Sequence, residues 1–347
     1  MTRGVDLSAL NTLGLPARAD RLVVIEKEAQ LVDLLASEAP NNRPLRLLGG
    51  GSNVVLKSYL PGTVAVMRTR GIRWERAGRG FISVTVAAGE RWHDLVRCTL
   101  GQGWSGLENL ALIPGSVGAA PMQNIGAYGV ELADRFVRLR ALDSKDGSIH
   151  FFDADACGFG YRDSRFKAHD AGRFIVLEIT LTLSEKPRPM VDYPDVRDEL
   201  RRMGCDEPSA LQIAEAVVRI RRRKLPDPRI QGNAGSFFKN PVISGARAEE
   251  LRLRHPHLSL RHGDDGRVKL SAAQLIDGCG WKGQHRGRVG VWQRQPLVLI
   301  NLGGATAAEV LQLAEAIRKD VADRYGVDLE IEPRIIGEDW SQGWGQD

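Results

Sequence analysis

The sequence predicts an α+β protein built from two or three domains, and three observations carry that prediction. Apolar runs of strand length alternate with a helical period over the first 70 residues. Ile175, Leu177, Ile179, Leu181 and Leu183 alternate in a long half-buried strand pattern at the centre of the chain. A final helix is bracketed by matched start and stop signals, Thr306-x-x-Glu309 and Gly326. At 347 residues the chain also exceeds what one simple core organises.

Taken in order, residues 22–25 read as a strand and residues 28–37 as a helix with Leu31, Leu34 and Leu35 on one face. Residues 45–48 form the next strand and run into a turn, Gly49-Gly50-Gly51-Ser52-Asn53. This turn lacks the G-K-[ST] ending of a phosphate-binding loop and the G-x-G-x-x-G spacing of a dinucleotide fold, so neither is expected. Residues 54–56 and 64–67 continue as strand. Past Arg70 the character changes: Ile82, Val84 and Val86 alternate with small and polar residues, and a helix follows over 92–101. Residues 136–142 and 149–152 pair about a Lys145-Asp146-Gly147 turn, which predicts an antiparallel sheet. Residues 187–194, with three prolines, read as a loop. A helix over 210–223 carries Leu211, Ile213, Ala214, Val217, Val218 and Ile220, and Pro226 and Pro228 end it.

Composition narrows the function classes. Hydrophobic content of 43% and charged content of 26% are ordinary for a globular protein, and no apolar run is long enough to span a membrane. The first fifteen residues have no apolar core of the signal-peptide kind. Cys98, Cys157, Cys205 and Cys279 are scattered without a C-x-x-C pair, so reduced thiols in a cytoplasmic protein are expected, with no disulfide frame and no metal site. The net charge of +5 suits an anionic small ligand. Its densest run, residues 219–224 (RIRRRK), reads as a solvated helix face, so neither nucleic acid nor membrane is an expected partner.

The chain is organised around residues 113–129, IPGSVGAAPMQNIGAYG. Four glycines, three alanines and two prolines make poor helix or strand but a good wall of exposed main-chain N–H groups, suited to phosphates and flat cofactors. A long tight loop in the core is the plain alternative. Three polar groups stand out beside it. Arg162 in GYRDS has the fork of donors that clamps a carboxylate, or is a surface arginine. Ser236 in GNAGSFFKNP is a hydroxyl among small residues, exposed to a ligand or simply part of a turn, and no nucleophile elbow surrounds it. Glu330 and Glu332 in LEIEP alternate with Leu329 and Ile331, as on a solvated strand face.

Together GGGSN, IPGSVGAAPMQNIGAYG, YRDSRF, KLPDP, GNAGSFFKNP, AAQLIDGCGWKG and GVDLEIEPRIIG, in this order over residues 13–337, closely resemble the UDP-N-acetylenolpyruvoylglucosamine reductase family. The resemblance implies a two-subdomain FAD-binding fold of the vanillyl-alcohol-oxidase type, over 1–70 and 71–206. An α/β substrate-binding domain over 207–347 would follow, its last strand near 328–337 returning to the active site. It implies reduction of the enolpyruvyl ether of a UDP-sugar, with NADPH reducing a non-covalent FAD and leaving before the sugar nucleotide enters. The catalytic set it implies is Arg162, Ser236 as proton donor, and Glu332, with Glu330 the alternative because LEIEP displaces the family's proline. Cofactor contacts would come from Gly49, Gly50, Gly51, Ser52 and Asn53, and from Pro114, Gly115, Ser116, Gly118, Ala119, Gln123, Asn124, Gly126, Ala127 and Tyr128. Tyr193, on the extra loop of one subgroup, with Lys224, Asn240 and Gln295, would hold the substrate diphosphate. A monomer is the expected state. Two other classes share parts of this pattern: an oxidase of the same flavin fold, for which no histidine stands in either Gly-rich stretch, and a nucleotide-sugar binder without flavin.

Overall fold

A computed structural model describes residues 4–38, 44–263 and 265–337. The tail 338–347, to which the sequence assigns no role, lies outside the described residues.

The first layer is a four-stranded sheet in the order Val5–Asp6, Arg18–Ile25, Tyr59–Met67, Leu45–Leu48. The last three run parallel, and the helix Glu28–Glu38 supplies the crossover between Arg18–Ile25 and Leu45–Leu48, burying Leu31 and Leu34 against Leu45 and Leu47. Two strands begin earlier than their apolar runs imply. Polar residues at their starts are served by tertiary partners, as where the Gly62 N–H donates to Asp20 Oδ2 at 2.8 Å.

The second layer has five antiparallel strands in the order Ile149–Asp153, Phe136–Asp143, Phe174–Ser184, Phe81–Ala87, Ile72–Arg76, as the alternating runs predict. Its inner face buries Val84, Val86, Ile179 and Leu181 against Trp92, Leu95 and Val96 of the helix Trp92–Gly101. The helix Ala210–Lys224 lays Ile213, Ala216, Val217 and Ile220 into this same core, so it packs with the residues before it. A helix absent from the sequence reading, Pro194–Arg202, follows directly on the proline-rich loop. Pro194 sits in its first turn, where proline's missing N–H leaves no hydrogen bond unmade.

The third layer combines the sheet Gly232–Ser236, Val298–Asn301, Val289–Val291, His285–Arg286 with a three-stranded sheet, Val242–Ser244, Arg267–Leu270, Leu260–His262. The helix Ala307–Tyr325 covers it with Val310, Leu313, Ala314, Ile317 and Val321. Its start is a reciprocal capping box: Thr306 Oγ1 accepts the Glu309 N–H at 3.3 Å, and Glu309 Oε2 accepts the Thr306 N–H at 2.8 Å. Gly326 ends it in the left-handed region at φ 61°.

The chain then returns to its beginning. The strand Arg334–Ile336 pairs in parallel with Val54–Leu56, far back in the sequence. The alternating run ahead of it is not continuous strand: Ile331 makes a single bridge to Phe238, and Pro333, with no N–H to give a ladder, precedes the strand proper.

Replacing Thr306 by Ala removes one side of the capping box and is expected to lower unfolding free energy by about 1 kcal/mol. A shift in the urea midpoint at constant slope is the check.

Candidate active site

Residues 113–129 form a wall by short-range geometry. Val117–Gln123 is a 3-10 helix of small residues, and Leu112, Asn124 and Tyr128 adopt positive φ of 59°, 44° and 50°. Left-handed backbone at a residue with a Cβ costs of order 1–3 kcal/mol, so each must be held. His93 Nδ1 accepts the Leu112 N–H at 2.9 Å, a role only an unprotonated nitrogen can fill, and burial lowers the His93 pKa accordingly. Asn109 Nδ2 donates to the Tyr128 carbonyl at 3.0 Å. The buried side chain of Asn124 holds its own neighbourhood, with Oδ1 accepting the Ala133 N–H at 3.0 Å.

The GGGSN turn meets this wall backbone to backbone. A Cβ on Gly50 would stand 2.6 Å from the Gly115 Cα, and one on Gly118 would stand 2.6 Å from the Ala88 Cβ, so both contacts require glycine. Asn53 Nδ2 donates to Gln123 Oε1 at 2.8 Å, tying turn and wall by their side chains as well.

One cavity lies against the wall. Of the expected cofactor contacts, Ser52, Asn53, Pro114, Gly115, Ser116, Ala119, Gln123 and Gly126 line it. Gly49, Gly50, Gly51, Gly118, Asn124, Ala127 and Tyr128 are not in its lining; Gly50 and Gly118 act by letting the lining segments close on their supports.

Arg162, Ser236 and Glu332, from three distant segments, line the same cavity. Arg162 sits at the tip of a tight turn whose base is the reciprocal pair Gly160 N to Asp163 O (3.0 Å) and Asp163 N to Gly160 O (3.2 Å). Its own φ is 55°. Its Nη2 donates to the Gly126 carbonyl at 2.6 Å and its Nε lies 3.4 Å from Glu332 Oε1. Ser236 ends the strand Gly232–Ser236, just past Gly235, whose φ of 71° turns open space towards the missing side chain. Phe237 and Phe238, both buried, anchor the segment behind it.

The Glu332 N–H donates to the Phe237 carbonyl at 2.9 Å, and its side chain is only 11% exposed. Burial raises its pKa, against the pull of Arg162, Lys167 and Lys239. Glu330 is 66% exposed and pairs with Lys239 at 2.5 Å. The solvated-face reading therefore holds for Glu330 and fails for Glu332, which lies in the cavity lining.

The four expected diphosphate contacts lie outside the lining. Lys224 Nζ is 2.6 Å from Asp195 Oδ2. The Tyr193 ring packs edge-on against Tyr128 at 5.3 Å, under the Arg261 guanidinium at 5.2 Å. Asn240 Oδ1 accepts the Ala272 N–H at 3.0 Å, and Gln295 Oε1 accepts the Leu297 N–H at 3.4 Å.

Three cations in the lining were not singled out from sequence: Lys167, Arg334 and Arg221. Arg221 corrects the reading of the RIRRRK run as a wholly solvated face. Arg222 and Arg223 are exposed, whereas Arg221 follows Val217 by four residues and Ala214 by seven, which places it on the helix's apolar stripe. That spacing was the available signal.

The residues fit a flavin. A side-chain-poor wall offers its backbone, and the buried Arg221 Nε has no hydrogen-bond partner within the protein and faces a cavity suited to an anion. The class these features define is a flavin-dependent oxidoreductase, and the comparisons make it specific. Residues 19–153 match the FAD binding domain model, and residues 227–336 match the UDP-N-acetylenolpyruvoylglucosamine reductase C-terminal domain model. UDP-N-acetylenolpyruvoylglucosamine reductase from Azoarcus sp. (strain BH72) is 50% identical over 341 residues, covering 97% of this chain and 98% of that protein. That from Bordetella pertussis (strain Tohama I) is 48% identical over 331 residues, covering 95% and 94%. The crystal structure of the reductase from Thermus caldophilus superimposes with a TM-score of 0.64 at 27% identity, over 97% of this chain and 99% of that one.

The chain belongs to the UDP-N-acetylenolpyruvoylglucosamine reductase family. It is an FAD-dependent enzyme that reduces the enolpyruvyl group of the UDP-sugar in peptidoglycan precursor synthesis.

Gly50→Ala is expected to drive the turn off the wall and lower the flavin content of the purified protein, read as flavin absorbance per protein absorbance. Full flavin content would show that the turn tolerates the displacement.

Proposed function

We propose that Arg162, Ser236 and Glu332 carry the reduction, with NADPH as the source of reducing equivalents. The supporting observation is their convergence on one cavity beside the backbone wall. When bound, FAD supplies the hydride to the terminal alkene carbon. Negative charge then builds on the neighbouring carbon and its carboxylate. Arg162, held by the Gly126 carbonyl, is placed to stabilise that charge without reorganising. Ser236 Oγ gives its proton to the same carbon, and solvent restores the hydroxyl. Glu332, whose pKa burial raises, would in its neutral form donate a hydrogen bond to the substrate carboxylate.

Residues 1–70 and 71–206 are read as the cofactor half, together with the helix Ala210–Lys224 that packs into it, and the remaining residues to 347 as the substrate half. Tyr193, Lys224, Asn240 and Gln295 are assigned to the substrate diphosphate, with Tyr193 marking the subgroup that has an extra tyrosine loop. Lys224 would exchange Asp195 for phosphate. A cytoplasmic location agrees with four free thiols, and a monomer is the state proposed with it. Among the described residues no helix is long and apolar enough to cross a membrane.

Ser236→Ala should leave FAD reduction by NADPH intact and abolish its reoxidation by the enolpyruvyl sugar nucleotide, which stopped-flow absorbance separates. Equal loss of both halves would remove the serine from proton transfer. Glu332 has a folded-state pKa above its unfolded one, so its neutral form is complete below the unfolded value and drains away as pH rises through the folded value. Wild-type turnover should therefore fall along an alkaline limb that Glu332→Gln lacks. A limb that persists unchanged in the variant would belong to another group.

A further inference from the structure

We propose that Asn124 is a positioning residue for Arg162, coupling the cofactor wall to the turn that carries the guanidinium. The inference rests on the catalytic reading of Arg162 given above.

Three hydrogen bonds join the wall segment 122–126 to the turn 160–164. Ser164 Oγ donates to the Met122 carbonyl at 2.7 Å, Asn124 Nδ2 to the Gly160 carbonyl at 3.2 Å, and Arg162 Nη2 to the Gly126 carbonyl at 2.6 Å. The middle one acts on the base of the turn. The Gly160 carbonyl also accepts the Asp163 N–H, so Asn124 grips the rung on which Tyr161 and Arg162 are mounted. The remaining valences of Asn124 are spent locally: Nδ2 donates to Glu131 Oε2 at 2.6 Å, and Oδ1 accepts the Ala133 N–H at 3.0 Å.

The site calls for an amide. Two acceptors and one N–H converge on a side chain that is 1% exposed and on a backbone at φ 44°. Asparagine supplies two donors and an acceptor there; aspartate would supply acceptors alone and leave two carboxylates in contact. Arg162 stands at φ 55° on the turn and reaches the cavity through a guanidinium whose useful placement tolerates little error. Losing the Gly160 tie frees the base of the turn while the wall keeps its other supports.

The test uses the holoenzyme with Asn124→Asp, Arg162→Lys and the double variant, with Asn124→Ser as a smaller change should the aspartate protein fail to fold. Flavin content and NADPH-driven flavin reduction should stay within about twofold of wild type. Turnover with the enolpyruvyl sugar nucleotide should fall roughly 10- to 100-fold in kcat with little change in KM.

A pH series separates positioning from general damage. The charged group in contact with the new carboxyl is Glu131; around it, Asp134 accepts the Glu131 N–H, Asp163 accepts the Ser164 N–H on the turn that carries Arg162, and Lys269 from the three-stranded sheet interacts with Glu131 and Arg162. The introduced carboxyl can donate to the Gly160 carbonyl again only when it holds a proton that Glu131 does not take, so the Asn124→Asp protein should regain turnover only as pH falls far enough to protonate both groups, while wild type does not gain in parallel. In the double variant the aspartate should add nothing to the loss caused by lysine. Unchanged turnover in Asn124→Asp, flavin loss in proportion to turnover, or full additivity in the double variant would each overturn the proposal while leaving Arg162 in place. Near-normal turnover in Arg162→Lys would overturn the catalytic reading and, with it, the role given to Asn124.

Discussion

The pairing of Arg334–Ile336 with Val54–Leu56 is the constraint on which the active site depends. The Arg334 N–H donates to the Asn53 carbonyl at 2.9 Å, and the Lys57 N–H to the Ile336 carbonyl at 2.8 Å, so the last strand is fastened directly behind the GGGSN turn. Two residues earlier, Glu332 is bonded to Phe237 next to Ser236. One short strand therefore ties the GGGSN turn to the segment that carries Ser236 and to Glu332. Hydrophobic cores also bridge the layers, with Leu142, Ile175 and Leu177 packed among Ile25, Leu31 and Leu45, and this ladder adds the backbone tie between the last strand and the turn.

The state of Glu332 follows from two opposing effects of similar size. An ion pair with Arg162 at 3.4 Å favours the carboxylate by about 5 kcal/mol in a protein-like dielectric. Withdrawing the carboxylate from water costs several kcal/mol. Burial prevails in raising the Glu332 pKa. A carboxylate arriving at Arg162 would divert the guanidinium and raise the Glu332 pKa further, because the nearest compensating cation would be shared.

Much of the fold was legible because the relevant segments are locally consistent. Val54–Leu56 is a fully buried apolar run, Leu45–Leu48 is one interrupted only by Arg46, and Trp92–Gly101 shows a clean helical stripe. The wall was legible as a region of little side chain, and the combined motifs pointed to the trio that the fold gathers. What sequence withheld was direction. LEIEP alternates like any strand, and only the fold places one glutamate in the cavity lining and leaves the other exposed. Asn124 reads in sequence as a cofactor contact, and its ties to 160 and 131 stay hidden because one partner is remote in sequence and the other lies across a turn. Pro194–Arg202 was hidden by the proline that opens it.

Because the closing strand comes last among the described elements, it is also synthesised last of them. A nascent chain presents its side-chain-poor wall while the carboxyl, the strand Arg334–Ile336 and the helix Ala307–Tyr325 are still unmade. The pocket thus cannot be sealed by partial synthesis. A truncated product would expose the apolar edge of Val54–Leu56 in place of a competent enzyme, an unpaired strand of the kind that recruits other chains.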